Sequence, residues 1–454
     1  VAKAPKAKTK AVKVNFHEQL ILNKWLWSKF NPNRLEGMKQ QLDHPQFEGI
    51  EHESDNAGQT KFFSVISNTL FNKQVVDIDV LRRYDLNIVK HWQKITEKRN
   101  EIEGHVLNLK YFQYLSLLFT ELYLDQYFNH QADMLNELNV ELEQYNDDQK
   151  IDADQFQQYL PKDLNKIGYW NATGSGKTLL MHVNILQYLD YFQHQNGDST
   201  YPDQIILLTP NEGLSEQHLQ ELTDSGFQAT LFDKQKSRNS LYRDEIQIID
   251  MNKLSDTDGD KTVATMSLEG KNLVLIDEGH RGTSSSAGAW MERRDILTKD
   301  GFSFEYSATF GQAVSKADNV YKRFEDAKKQ KAKMLYGVAI NKLTEEQKKN
   351  IQLDELEQQK YRREALREVY AKSILFDYSY KYFYADGYGK EVNILNMKEY
   401  HEDDERNLYL TACLLSFYQQ QYLFKKNQAK LAKFNIEKPL WVFVGNKVND
   451  DDSD

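Results

Sequence analysis

Residues 168–178 read GYWNATGSGKT, and the fold turns on what Lys177 and Thr178 hold. Gly174 and Gly176 let the backbone close on an anion. Lys177 supplies a point charge, and Thr178 supplies a hydroxyl for a magnesium ion. With Thr173 just before them and Ser175 between the glycines, these residues form a candidate phosphate cradle. The strict pattern has a glycine five residues before Gly176, and Asn171 stands there instead. A cradle tolerates that change if the neighbouring glycines supply the turn. On this stretch alone, an ordinary glycine loop stays open as a second reading.

Outward from the loop, short apolar runs alternate with helical segments. QIILLTP (204–210), EIQIIDM (245–251), NLVLIDE (272–278) and FSFEYSAT (302–309) read as strands; 178–194 and 213–225 read as helices. Such alternation predicts an α/β fold with a parallel sheet covered on both faces. Upstream, FHEQLILNKWLWSKF and LKYFQYLSLLFTELYLDQYF carry apolar residues at mixed three and four spacing, which predicts helices.

A second chemical signal lies 100 residues after Lys177, where an apolar run ends in IDEGH. There Asp277 is placed beside a metal ion and Glu278 is placed to polarise a water at a γ-phosphate. His280 stands where a side chain senses that phosphate. The strand before SATFG ends with Ser307 and Thr309 near these carboxylates. TPNEGLSEQH (209–218) admits two readings. Thr209, Asn211 and Ser215 either grip phosphates of a nucleic-acid strand or form a plain turn with a helix N-cap.

ATGSGKT, TPNEGLSEQH, DEGH and SAT, in this order, resemble motifs I, Ia, II and III of superfamily-2 DEAD/DEAH-box helicases. The wording is similar to helicase subunits of type III restriction enzymes, helped by FSFEYSATFGQA and SILFDYSYKYFYADGYGK. The resemblance implies a RecA-like P-loop motor domain, ATP with Mg²⁺, and double-stranded DNA as the track, in a restriction or phage-defence system. It implies metal ligation by Thr178 and Asp277, catalysis by Lys177, Asp277, Glu278 and His280, and coupling through Ser307 and Thr309. Gly279 departs from the usual alanine but is small enough to preserve packing. The family also reads adenine with an upstream glutamine, and Gln113 in LKYFQYLSL is the candidate, with Tyr111 or Phe112 to stack. A buried helix glutamine is the other reading.

The expected organisation is a disordered basic tail (1–14), a helical N-terminal region (15–160), a RecA-like domain (161–312), a helical insertion (313–438) and the first strand of a second motor domain (439–454). Motors of this kind close two such domains, the second supplying an arginine to the transferred phosphoryl. Arg281, Arg293 and Arg294 lie on the wrong side of SAT to replace it, so the sequence as given predicts very slow hydrolysis.

Composition bounds the remainder. The chain of 454 residues has room for two or three domains, and no apolar run approaches a membrane span. One cysteine, Cys413, excludes an intrachain disulfide and a multi-cysteine zinc site and fits a cytoplasmic location. A net charge of −10 argues against a surface coated for DNA without excluding a local basic groove. EKR (97–99) and HWQK (91–94) fit no nuclease core, so any cutting residues belong to a partner, as does a methyltransferase or specificity subunit. A non-catalytic ATP- and DNA-binding module and an RNA helicase remain the competing expectations.

Overall fold

Seven parallel strands form the main sheet. They are β1 (Lys166–Asn171), β2 (Ile205–Thr209), β3 (Ala229–Leu231), β4 (Ile246–Asp250), β7 (Leu273–Asp277), β8 (Phe302–Ser307) and β9 (Ile374–Tyr378). Their order is β3-β4-β2-β7-β8-β1-β9, and every neighbouring pair is parallel. A separate two-stranded pair joins β5 (Leu254–Ser255) to β6 (Val263–Ala264). The computed structural model describes residues 16–52, 57–70, 77–149, 155–197, 200–233, 244–255, 263–278, 294–310, 321–353, 357, 367–389, 403–431 and 438–442.

Strand alternation explains why the central runs are apolar throughout. In β2, Ile205 and Leu207 enter one core, while Ile206 and Leu208 enter a second. In β7, Leu273 and Leu275 split from Val274 and Ile276 in the same way. Successive side chains point to opposite faces, so a sheet covered on both sides needs apolar residues at every position.

The larger core lies under helices α1 (Ile21–Trp27), α2 (Leu35–Leu42), α3 (Lys61–Val65), α4 (Ile78–Glu103), α5 (Tyr111–Asn129), α6 (Gln131–Asp147) and α7 (Lys177–Asn196). Leu117, Phe119 and Tyr123 of α5 join Tyr169, Phe304 and Phe376 of the sheet in one continuous cluster. The upstream helices thus share their core with the sheet. Helix α5 is buried on all sides from Tyr111 to Asp125, and its composition is largely apolar, because it lies between the other helices and the strands. Helix α8 (Glu212–Asp224) follows β2.

Two expectations are corrected. The range 313–438, expected as a helical insertion, contributes strand β9, which pairs with β1 from Gly168↔Ile374 to Asn171↔Tyr378. Its run ILFDY is buried at every position, and extended pairing there satisfies backbone groups that burial denies to water. The other described parts of that range are largely helical, with α9 (Tyr321–Tyr336), α10 (Glu345–Asn350), α11 (Tyr380–Ala385) and α12 (Asp403–Leu431). The strand expected at 439–445 is not seen in its described part. Residues 438–442 are irregular, with Leu440 and Val442 exposed, and 443–445 fall outside the described residues.

The chain divides into a unit Val1–Gly389 and a unit Lys390–Asp454. In the second, Gln421 Nε2 donates to the Pro439 carbonyl at 2.7 Å and Phe417 packs on Trp441.

Candidate functional site

Strand β1 ends at Asn171 and α7 begins at Lys177, so residues 172–176 form the turn between them. Gly174 and Gly176 have φ of 87° and 86°, the left-handed region where a side chain costs energy. Asn171 is still in the strand, paired with Tyr378, and does not need a glycine's freedom. Gly176 is the N-cap of α7, and no side chain bonds the helix start. The first N–H groups of this 20-residue helix are thereby left for an anion. Thr173 and Gly174 are exposed; Lys177 and Thr178 are half-buried. Ser175 is buried, and its hydroxyl has no hydrogen-bond partner among the described residues.

The loop rests on Gln113. Its Nε2 donates to the Ser175 carbonyl at 3.1 Å, and its Oε1 accepts from the Lys110 N–H at 3.0 Å. A Cβ on Gly176 would lie 2.5 Å from Gln113 Nε2. Gln113 therefore braces the 172–176 turn as a buried glutamine bonded at both ends. The two rings expected to stack on adenine are committed elsewhere. Phe112 stacks on Tyr378 with centroids 3.8 Å apart, and Tyr111 donates to Asp386 at 2.5 Å. Both are 3% exposed, so neither offers a free face. Phe383 of α11 also borders the loop. Its ring would lie 3.5 Å from a Cβ on Gly174.

The two carboxylates stand at the end of β7, two strands from β1. Lys177 Nζ is ion-paired with Glu278 Oε1. Ser307 Oγ donates to Glu278 Oε2 at 3.2 Å and accepts from the Thr309 N–H at 3.0 Å. The Glu278 N–H donates to the Tyr306 carbonyl at 2.9 Å, which extends the β7–β8 ladder by one residue. Glu278 has φ of +50°, a conformation that costs a non-glycine residue roughly 1 kcal/mol and that clusters at functional sites. Lys177, Glu278, Ser307 and Thr309 are thus joined in one hydrogen-bonded chain.

Asp277 faces a different partner. Its Oδ2 accepts from His218 Nε2 at 3.0 Å, while Oδ1 has no hydrogen-bond partner among the described residues. A carboxylate oxygen not taken by His218 and a half-buried threonine hydroxyl are donors that suit magnesium, which takes few protein oxygens and completes its shell with water and phosphate. The donor set therefore fits, with Thr178 and Asp277 as the residues that would hold the ion. It would neutralise charge on the phosphates. Among the described residues no cluster of three or more histidine, cysteine or acidic side chains offers another metal site.

The 209–218 segment differs from one of its readings. Thr209 and Ser215 are buried, and their hydroxyls bond each other at 2.6 Å. Ser215 Oγ also donates to the Asn211 carbonyl at 3.2 Å. These hydroxyls shape the turn and, at this burial, do not reach a nucleic-acid strand. Asn211 is exposed and caps α8, its Oδ1 accepting from the Leu214 N–H at 3.0 Å. His280, Arg281 and Arg293 lie outside the described residues. Arg294 is buried and pairs with Glu305 and Asp295.

His218 is the site residue that the sequence reading missed. Ser215, His218 and Leu222 are the buried positions of α8, spaced three and four apart. A histidine on the inward stripe of a helix that follows a candidate-site strand is the signal that would have found it.

Residues 126–312 match the family model of the type III restriction enzyme, res subunit. No curated protein matches. Among solved structures, the chain is similar to the Sulfolobus solfataricus SWI2/SNF2 ATPase core in complex with double-stranded DNA. That match has 15% identity and a TM-score of 0.21, and it covers 32% of this chain and 28% of the other. The fold is α/β and RecA-like, and residues 126–312 are similar to the helicase-like ATPase domain of res subunits. No helix among the described residues is long and apolar enough to cross a membrane.

Proposed function

We propose that the chain hydrolyses ATP with Mg²⁺ and uses the energy to move along double-stranded DNA, as the motor of a restriction or phage-defence system. The observation that carries this reading is the linked set Lys177–Glu278–Ser307 at the carboxyl ends of β1, β7 and β8, beside an open helix start. Sheets of this class bind ligands at that edge.

Each residue has a part. The N–H groups at the start of α7 and Lys177 receive the phosphates. Glu278 then exchanges Lys177 for a water, accepts its proton as the water oxygen attacks the γ-phosphorus, and the bond to the β–γ bridging oxygen breaks. Ser307 holds the second oxygen of Glu278, so the carboxylate keeps its orientation while Lys177 turns to the phosphates. Thr309 fixes Ser307 in turn. His280 belongs to the same proposal as a γ-phosphate sensor.

DNA is proposed as the track on the strength of the res-subunit match and the exposed α8 start at Asn211 and Gly213. Cytoplasmic residence follows the single cysteine and the restriction setting. Sequence recognition and cutting are assigned to partners, a methyltransferase or specificity subunit and a nuclease. The test is Mg²⁺-dependent phosphate release by the purified chain, with duplex DNA, single-stranded DNA or duplex RNA. Duplex DNA should stimulate most; stimulation by RNA alone would overturn the choice of track, and equal release by a Glu278→Gln variant would overturn the site.

A further inference from the structure

We propose that His218 is a positioning residue for the metal-side carboxylate Asp277, holding one oxygen so that the other is presented to magnesium. This rests on the ATPase reading above. The contact is direct: His218 Nε2 lies 3.0 Å from Asp277 Oδ2, and the His218 side chain is 6% exposed. An ionised carboxylate can only accept, so Nε2 carries the hydrogen.

The topology explains how a residue 59 positions away reaches this carboxylate. Strands β2 and β7 are parallel neighbours, with Leu208 opposite Ile276. Thr209 and Asp277 therefore end adjacent strands. Helix α8 leaves β2 through the Thr209–Ser215 turn and packs back on the sheet. Its inward stripe brings His218 over the end of β7. The hydroxyl pair Thr209–Ser215, at 2.6 Å, fixes the turn that sets the helix. That gives these two buried residues a role in the site although they do not face a ligand.

A second histidine neighbours His218. His182 lies one helical turn after Thr178 on α7, is fully buried, and bonds Ser225 Oγ through Nδ1 at 2.8 Å. Burial and the neighbouring His218 and Arg99 hold its pKa well below the ordinary histidine value, so it stays neutral. On the Asp277 side, His218 bonds the proposed metal ligand directly. Hydrogen-bonding partners of metal ligands fix ligand orientation, and their loss typically lowers metal affinity about 10–100-fold.

Two substitutions separate positioning from packing. In His218→Gln the amide nitrogen falls near Nε2 and keeps the bond to Asp277. In His218→Asn the amide falls near Nδ1 and loses it. The measurement is the Mg²⁺ concentration needed for half-maximal tight binding of a fluorescent N-methylanthraniloyl ATP, titrated from excess EDTA with the full chain. The Gln variant should lie within about threefold of the parent, and the Asn variant should need at least ~10-fold more Mg²⁺. Binding in EDTA should be equal in all three, because the loop and Lys177 are untouched. An Asn variant that titrates like the parent, or a Gln variant that shifts with it, would overturn the proposal alone. A parent that binds no nucleotide at any Mg²⁺ concentration would overturn the ATPase reading as well. In the unmutated chain, ¹⁵N-imidazole spectra should show His218 protonated at Nε2, with that resonance moving on adding nucleotide with Mg²⁺ but not nucleotide alone. A proton found only on Nδ1 would also overturn it.

Discussion

Lys177 and Glu278 are 101 residues apart in the chain and form an ion pair across the ends of β1 and β7. In the proposed reaction each serves a different partner, the lysine the phosphates and the glutamate a water. The pair is therefore a resting contact that must open. Removing the charge of Glu278 should free Lys177. A Glu278→Gln variant should bind ATP·Mg²⁺ no more weakly than the parent and lose turnover at least ~100-fold, because an amide cannot accept the water's proton. Calorimetry and phosphate release measured on the same preparation check both halves.

Ser307 donates to Glu278 and accepts from Thr309. Ser307→Ala should leave nucleotide affinity within about twofold and lower kcat roughly tenfold, because the contact orients a group that acts in the transition state. A rise in KM with unchanged kcat would place Ser307 in binding instead.

Gly176 combines a φ of 86° with a neighbour, Gln113 Nε2, at 2.5 Å from any added Cβ. Gly176→Ala should abolish nucleotide binding and cost about 1–3 kcal/mol of stability. Adding Gln113→Ala removes the clash but not the backbone strain. The double variant should regain part of the thermal stability and none of the binding.

Glu121 provides a pH test away from the site. It is fully buried among Asn87, Gln187 and Tyr191, and burial raises its pKa to about 7 from 4.5. Between those values the folded chain holds a proton that the unfolded chain has lost. The Glu121 contribution to stability is thus full below about pH 4.5 and is lost as pH rises to about 7, by about 3 kcal/mol. Glu121→Gln should flatten the fall of the thermal midpoint over that window and raise the midpoint at pH 8. An unchanged pH profile would show that Glu121 does not carry it.

Most of the sheet was legible because its chemistry is local. The apolar runs ending at Thr209, Asp250, Asp277 and Ser307 are too short for buried helices and are followed by turn residues, and their ends agree within two residues. Strand β9 was not legible. ILFDY adjoins aromatic residues that suit helix or strand equally, and what decides is the free edge of β1, a partner some 200 residues upstream. The site followed the same division. Gly174, Gly176, Lys177, Asp277 and Glu278 announce themselves by spacing. Whether Thr209 and Ser215 face outward depends on how α8 packs, and His218 meets Asp277 only once β2 and β7 are neighbours. Gln113 was found as a residue, but its bond to Ser175 depends on α5 lying beneath the loop.

The central claim is that residues 172–178 hold the phosphates of ATP, and calorimetric titration of the purified chain with ATP·Mg²⁺, beside its Lys177→Ala variant, tests it most directly. The account predicts saturable binding of one nucleotide per chain, weakened at least ~10-fold in the variant while its thermal midpoint stays within a few degrees. Equal affinity in the two proteins would contradict it, as would a parent chain that binds no nucleotide.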